Sequence, residues 1–184
     1  MKRIITWGVL FGILLGALLS IMSFIVYLTG GNPVGAFEFA YLLPLYLLVM
    51  AGGLFYFRNY KNRGELITGH SLLMALLINL TGAAFYAGYI YLLFSSSPET
   101  LEMWRDQMVE VWLRTAEGMS EPDIEGGTRA VRQTRPAKIA TDKLMKVSSM
   151  GLLFTFVVGV AFRRRLVKRN QKKQAATDTK QHRS

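Results

Sequence analysis

The chain has 184 residues, 51% of them hydrophobic, and its 22 Lys and Arg residues against 12 Asp and Glu residues give a net charge of +10. The apolar residues come in long blocks, which excludes an ordinary soluble domain, where they would alternate with charged residues at helix or strand period. The sequence contains no cysteine, so disulfides, iron–sulfur clusters and thiolate zinc sites are excluded as well.

Four apolar stretches carry no Asp, Glu, Lys or Arg, and they span residues 4–28, 39–57, 71–94 and 147–162. Each of the first three is long enough to cross a hydrocarbon core of roughly 30 Å at about 1.5 Å per helical residue. The fourth is shorter, so we expect its helix to begin before Val147, near Asp142. Lys143 and Lys146 then either snorkel outward or mark a locally thinned bilayer. The sequence therefore predicts an all-α fold, a four-transmembrane-helix bundle with an extracytoplasmic amphipathic helical segment between helices three and four.

The predicted organisation is one membrane domain followed by a polar tail. The membrane domain covers residues 1–169, with helices at about 4–28, 39–57, 71–94 and 143–162 and an outer helical segment at 95–142. Residues 170–184 are rich in Lys, Gln and Thr, and they are predicted to be a basic, disordered cytoplasmic tail. The first apolar stretch is far longer than a secretory signal core of about 7–15 residues, so we expect it to be a retained helix.

Small residues recur at every fourth position along the first and last predicted helices. The two rows are Gly8, Gly12, Gly16 and Ser20 in helix one and Gly151, Thr155 and Gly159 in helix four. Such rows let helix backbones approach closely, and close packing is what holds helices together in lipid. We therefore predict that both rows are helix-packing faces, within one chain or across a dimer. The alternative is that glycine is simply common in membrane helices.

Few polar groups lie inside the predicted helices. Asn79 and Thr81 are candidate polar contacts within helix three, either to a neighbouring helix or, in a carrier, to a solute. Pro44 predicts a bend in helix two, a feature that many membrane helices have without transporting anything. Glu38, at the start of that helix, is expected to complement the helix N-terminus from the headgroup region, without a buried partner.

Between helices three and four the sequence becomes amphipathic. Ser96 and Pro98 mark a helix start and Gly118 its end, and apolar residues follow at helical spacing: Leu101, Trp104, Met108, Val111 and Trp112. Trp104 and Trp112 are candidate partner or interface residues, because they offer large apolar area. This helix could cap the bundle or lie on the bilayer surface. Residues 120–127 are expected to form a turn and a flexible glycine pair.

The basic residues predict the orientation of the chain. Two precede helix one, three lie between helices two and three, and nine follow helix four, so 14 of the 22 flank one side. By the positive-inside rule that side, with both termini, is cytoplasmic. The cluster Arg163, Arg164 and Arg165 is expected to bind anionic inner-leaflet lipid. Nucleic acid is not an expected partner, because the tail has no aromatic residue that could stack on bases.

The inner loop and the order of the elements resemble one bacterial family. A short outer turn after helix one, an inner loop at residues 57–70 (FRNYKNRGELITGH) and an outer Gly-Met-Ser-Glu-Pro-Asp-Ile-Glu turn at residues 118–125 carry the resemblance. They are similar to the four-helix integral membrane family catalogued as domain of unknown function four-one-nine-nine. The resemblance covers roughly residues 1–169. It implies a multi-pass protein of the bacterial cytoplasmic (inner) membrane, and it implies no reaction.

The sequence favours a role other than catalysis. It has no nucleophile–base pair, phosphate-binding loop or metal-ligand spacing, so we expect no enzymatic activity, no cofactor and no metal. The favoured function is a structural, accessory or partner-binding membrane protein, acting as a homo-oligomer or with another membrane protein. The alternative is a small oligomeric carrier or channel with Asn79, Thr81 and the Pro44 bend along its path.

Overall fold

The chain is helical almost throughout the residues that the computed structural model describes, which are 1–32, 34, 38–61 and 68–181. The helices are α1 (Lys2–Leu28), α2 (Glu38–Tyr56), α3 (Thr68–Ser96), α4 (Pro98–Thr115), α5 (Glu121–Arg132) and α6 (Pro136–Gln181), and a π-helical turn (Phe57–Lys61) continues α2. No strand occurs in these ranges, so the prediction of an all-helical chain is confirmed.

Among the described residues, three helical segments are long and apolar enough to cross a membrane: Lys2–Leu28, Ala40–Lys61 and Gly69–Ser96. Their outward side chains are large and apolar; Leu48 and Leu92, for example, expose 68% and 65% of their surface. In water such a surface would favour aggregation, whereas in a bilayer it contacts acyl chains. The outer surface of these helices is therefore matched to lipid.

The last helix differs from its sequence-based boundaries at both ends. α6 begins at Pro136, ahead of the expected start near Asp142, because proline is favoured in the first turn of a helix. Its backbone stays helical to Gln181, through residues for which composition predicts a disordered tail. The final part of that predicted tail, residues 182–184, lies outside the described residues.

α5 runs through the glycine pair that the sequence analysis predicts to be flexible. Pro122 lies in its first turn, and Glu121 and Asp123 complement the positive end of the helix. Each glycine costs a helix about 1 kcal/mol relative to alanine. At Gly127 the packing of Trp112 of α4 offsets that cost, because a side chain at position 127 would overlap the indole ring.

α1 and α3 pack side by side along the glycine row of α1. The opposing pairs are Gly8 with Leu77, Gly12 with Thr81 and Gly16 with Phe85. Both rows advance by four residues, so the two helices run in the same direction and in register. A Cβ added at Gly12 would lie 2.5 Å from the Cβ of Thr81, closer than such atoms approach in proteins. The small-residue face of α1 is therefore used within one chain.

The small-residue row of α6 also faces α3. Gly151 packs against Asn79 and Tyr46 so closely that a Cβ in its place would overlap the amide. Thr155, one turn later, is buried and donates its hydroxyl hydrogen to the carbonyl oxygen of Gly151 at 2.9 Å. The surroundings of Gly159 lie outside the described part of the structure. α3 thus lies between the glycine row of α1 and Gly151 of α6.

We predict that Gly12→Ala destabilises the bundle by about 1–3 kcal/mol, because the new methyl group would force α1 and α3 apart. Its matched control is Gly88→Ala in α3, where an added Cβ has no atom within 4 Å. The control should be as stable as the parent or slightly more stable, since alanine is the better helix former. Thermal aggregation in mild detergent measures both variants. Equal midpoints for the two would contradict the glycine contact.

Candidate functional site

A buried ion pair joins the start of α2 to α6. Glu38 is 2% exposed and Lys143 is 9% exposed. The ammonium group of Lys143 pairs with one carboxylate oxygen of Glu38, and it also donates to the backbone oxygen of Val34 at 3.2 Å. Lys143 points inward because it lies four residues after Ile139 and four before Val147, on the buried stripe of α6.

The second carboxylate oxygen of Glu38 is bound by a tyrosine. The hydroxyl of Tyr86 in α3 donates to Glu38 Oε1 at 2.9 Å, and the hydroxyl of Tyr41 in α2 lies 3.5 Å from that of Tyr86. Ser23 of α1 is fully buried and lies within hydrogen-bonding reach of both tyrosines. Four helices therefore contribute to one polar cluster, which we call the Glu38 cluster.

The geometry corrects the expectation for both charged residues. Glu38 has a buried partner, and Lys143 points into the bundle and does not snorkel outward. Burying two charges is costly unless they pair and their remaining hydrogen-bonding groups are satisfied. Here both carboxylate oxygens are bound, and the ammonium has two acceptors. The arrangement links the α2 N-terminus to α6.

A second buried polar contact lies deeper in the bundle. The Asn79 amide nitrogen in α3 donates to the backbone oxygen of Ser148 in α6 at 2.9 Å, and its oxygen accepts a hydrogen bond from the Tyr46 hydroxyl in α2 at 3.1 Å. Asn79 is fully buried. Thr81, two residues on, lies instead on the α1 side, against Gly12. Asn79 and Thr81 therefore contact different helices.

The two tryptophans of the outer segment pack against different helices. Trp104 packs edge-on against Phe94 near the end of α3, with ring centroids 6.3 Å apart. Trp112 lies over Gly127 of α5, and its indole N–H donates to the backbone oxygen of Ile124 at 3.2 Å. Both rings remain partly exposed. Trp104 joins α4 to the bundle, and Trp112 joins α4 to α5.

Polar contacts fix α4 and α5, which we call the helical hairpin, to the rest of the chain. Arg132 pairs with Asp106 at 2.5 Å and so links α5 to α4. Arg105 donates to the backbone oxygen of Thr134, just before α6, at 2.8 Å. The side chains of Asn32 and Gln107 are hydrogen-bonded, which attaches the middle of α4 to the turn after α1. The hairpin lies at the end of the bundle where α1 and α3 finish.

The remaining residues singled out by sequence are less informative. Ser20 is buried and donates its hydroxyl hydrogen to the carbonyl oxygen of Gly16 at 2.8 Å, within α1 itself. The side chains of Arg163, Arg164 and Arg165 lie outside the described part of the structure, although their backbone belongs to α6. Sequence reasoning missed the Glu38 cluster, although Lys143 lies eight residues before Gly151, on the face that the small-residue row marks.

Lipid-facing helices, glycine-mediated packing and internally paired polar groups together define a helical membrane protein. A family model described as "Protein of unknown function (DUF4199)" matches residues 10–164, and the chain belongs to this family. Comparison with curated proteins and with solved structures gives no match. The match confirms the resemblance noted from the inner loop and the order of the elements. It assigns no reaction.

We predict that Lys143→Met destabilises the bundle by about 3–5 kcal/mol, because it leaves a carboxylate buried without its counter-charge. The double variant Glu38→Gln, Lys143→Met should be more stable than this single variant, since it buries no charge. Lys146→Met is the control, because Lys146 is exposed on the same helix. Unfolding in detergent followed by circular dichroism measures all three. Strictly additive losses in the double variant would show that the two charges do not interact.

Proposed function

We propose that the chain is a four-pass protein of the bacterial cytoplasmic (inner) membrane, with both termini in the cytoplasm and the helical hairpin outside. In this arrangement residues 147–162 of α6 make the fourth crossing. Two observations support it: α6 packs along α3, and its outward residues Leu153 and Phe156 are large, apolar and 69% and 66% exposed. The inward position of Lys143 keeps its charge away from lipid.

The charge distribution supports the same orientation. The segments on the proposed cytoplasmic side hold 14 of the 22 basic residues, whereas residues 95–146 hold eight basic and nine acidic residues. Basic residues directly after a membrane helix are attracted to anionic lipid by about 1 kcal/mol each. Arg163, Arg164 and Arg165 would anchor the end of the fourth crossing in this way.

The proposed role is that of a non-enzymatic structural, accessory or partner-binding membrane protein. One observation carries this proposal: Asn79 joins α3 to α6 through its amide nitrogen and to α2 through its amide oxygen. A residue that binds a passing solute faces the solute path, whereas Asn79 is fully buried among these three helices. The interior polar group is used to join helices, which leaves the exposed helical hairpin as the element available to a partner.

A small oligomeric carrier or channel is the second candidate. The Glu38 cluster favours it, because ionisable groups inside membrane bundles often belong to ion or proton pathways. Against it stands the pairing of both Glu38 carboxylate oxygens within the chain. The two candidates differ in what the purified protein should do alone: a carrier moves ions across a vesicle, whereas a partner-binding protein does not.

The orientation predicts which positions are accessible from outside the cell. Because the chain has no cysteine, a single thiol can be introduced at Glu117, in the turn of the helical hairpin, or at Ser184. A membrane-impermeant maleimide should label Glu117→Cys in intact cells and Ser184→Cys only after permeabilisation. Labelling of position 184 in intact cells would overturn the proposed orientation.

The role predicts a discrete neighbour for the helical hairpin. A photo-crosslinking amino acid at Leu113, which is exposed, should give defined adducts in cells, identified by mass spectrometry. The same photo-crosslinking amino acid at position Leu153, exposed on α6, is the control and should give only lipid adducts.

The carrier hypothesis is tested with the pure protein in vesicles that hold a pH-sensitive dye. Proton or cation flux above that of empty vesicles would contradict the partner-binding role.

A further inference from the structure

The helical hairpin lies at the level where α1 and α3 end. Gly16 of α1 opposes Phe85 of α3, and the two helices run in the same direction. Twelve residues beyond each of these positions are Leu28, the last residue of α1, and Ser97, which precedes α4. Equal numbers of residues at equal rise bring both helix ends to the same height. α4 therefore starts at the edge of the membrane-spanning region.

α4 runs across this end of the bundle and does not continue in the direction of α3. Gln107 is nine residues into α4, a distance of about 14 Å at the helical rise. It is nevertheless hydrogen-bonded to Asn32, which is only four residues past the end of α1. Had α4 continued along α3, Gln107 would lie far above Asn32. The middle of α4 is therefore held close to the level of the helix ends.

One stripe of α4 faces the bundle along its first half. Thr100 is 3% exposed, and Leu101 and Trp104 pack against the core. Val111 continues this stripe, because it lies seven residues, or two turns, after Trp104. Yet Val111 is 51% exposed. The surface that covers the stripe ends before Val111, so the last turns of α4 extend beyond the bundle.

The last turns of α4, from Val111 onward, form an overhang that extends past the end of α1. In the last turns of α1, which precede Asn32 and the attachment of α4, Phe24, Ile25 and Leu28 expose large apolar surfaces. The overhang continues past that contact at the same level, so its underside lies above the lipid that surrounds α1. Its charged residues Glu110 and Arg114 are paired with each other and exposed, and Arg114, three residues after Val111, lies beside the free stripe.

We propose that α4 has two partners along one face: its first half caps the bundle, and its end, from Val111 to the turn at Met119, rests on the bilayer surface. The occupant of the free stripe is lipid, at the boundary between headgroups and acyl chains, where amphipathic helices bind by burying apolar side chains. The hairpin thereby fixes the depth at which the bundle end lies in the membrane. This assignment does not depend on which side of the membrane the hairpin occupies.

Leu113 provides a matched control for this assignment. It is also 51% exposed, but it lies two residues after Val111 and therefore about 200° away around the helix. In the cysteine-free chain, Val111→Cys and Leu113→Cys can each carry a polarity-sensitive NBD fluorophore. The full-length protein is reconstituted in phosphatidylcholine vesicles, with or without brominated acyl chains. Brominated lipid should quench the label at position 111, and aqueous iodide should quench the label at position 113.

Two outcomes would overturn the proposal. Equal quenching of both labels by iodide would show that the end of α4 is surrounded by water. Protection of position 111 from iodide without quenching by brominated lipid, together with disulfide formation between Val111→Cys copies, would show that a second copy of the chain covers the stripe. Because Val111 and Leu113 are equally exposed, neither label has to displace packed side chains.

Discussion

Helices in lipid gain little from burying apolar side chains, since acyl chains are as apolar as leucine, and this constraint determines how the bundle is held together. What remains is close backbone approach and polar contact between helices. α3 makes both: the glycine row of α1 packs along one side of it, and Gly151 of α6 packs against Asn79 on another. A helix with bulky residues at these positions could not approach α3 as closely and would associate with it less tightly.

The buried polar groups add specificity to this packing. Asn79 accepts from Tyr46 and donates to Ser148, so it fixes the heights of α2 and α6 relative to α3. The Glu38 cluster repeats this arrangement nearer the helical hairpin, with charges. In the proposed four-pass arrangement, the inward turn of Lys143 also removes one ammonium group from the outer surface of α6 ahead of Val147.

The all-helical fold and its three long apolar helices were readable from the sequence, because apolar blocks report them directly. The helix that packs against a given face was not. The row at Gly8, Gly12 and Gly16 carries no information about which helix supplies Leu77, Thr81 and Phe85. The helix through Gly126 and Gly127 was missed for a related reason, since a distant tryptophan compensates for the low helix propensity of the pair. Glu38 and Lys143 are 105 residues apart, and only the fold brings them together.

The register between α1 and α3 limits how the bundle can move. Three glycines spaced by four residues face three side chains with the same spacing, so a small sliding movement would drive a Cβ or ring into backbone. The next matching position lies one repeat away, at about 6 Å. These two helices therefore behave as one rigid unit, which can change register only in steps of one repeat. A conformational change would then involve movement of α2, α6 or the helical hairpin relative to the α1–α3 pair.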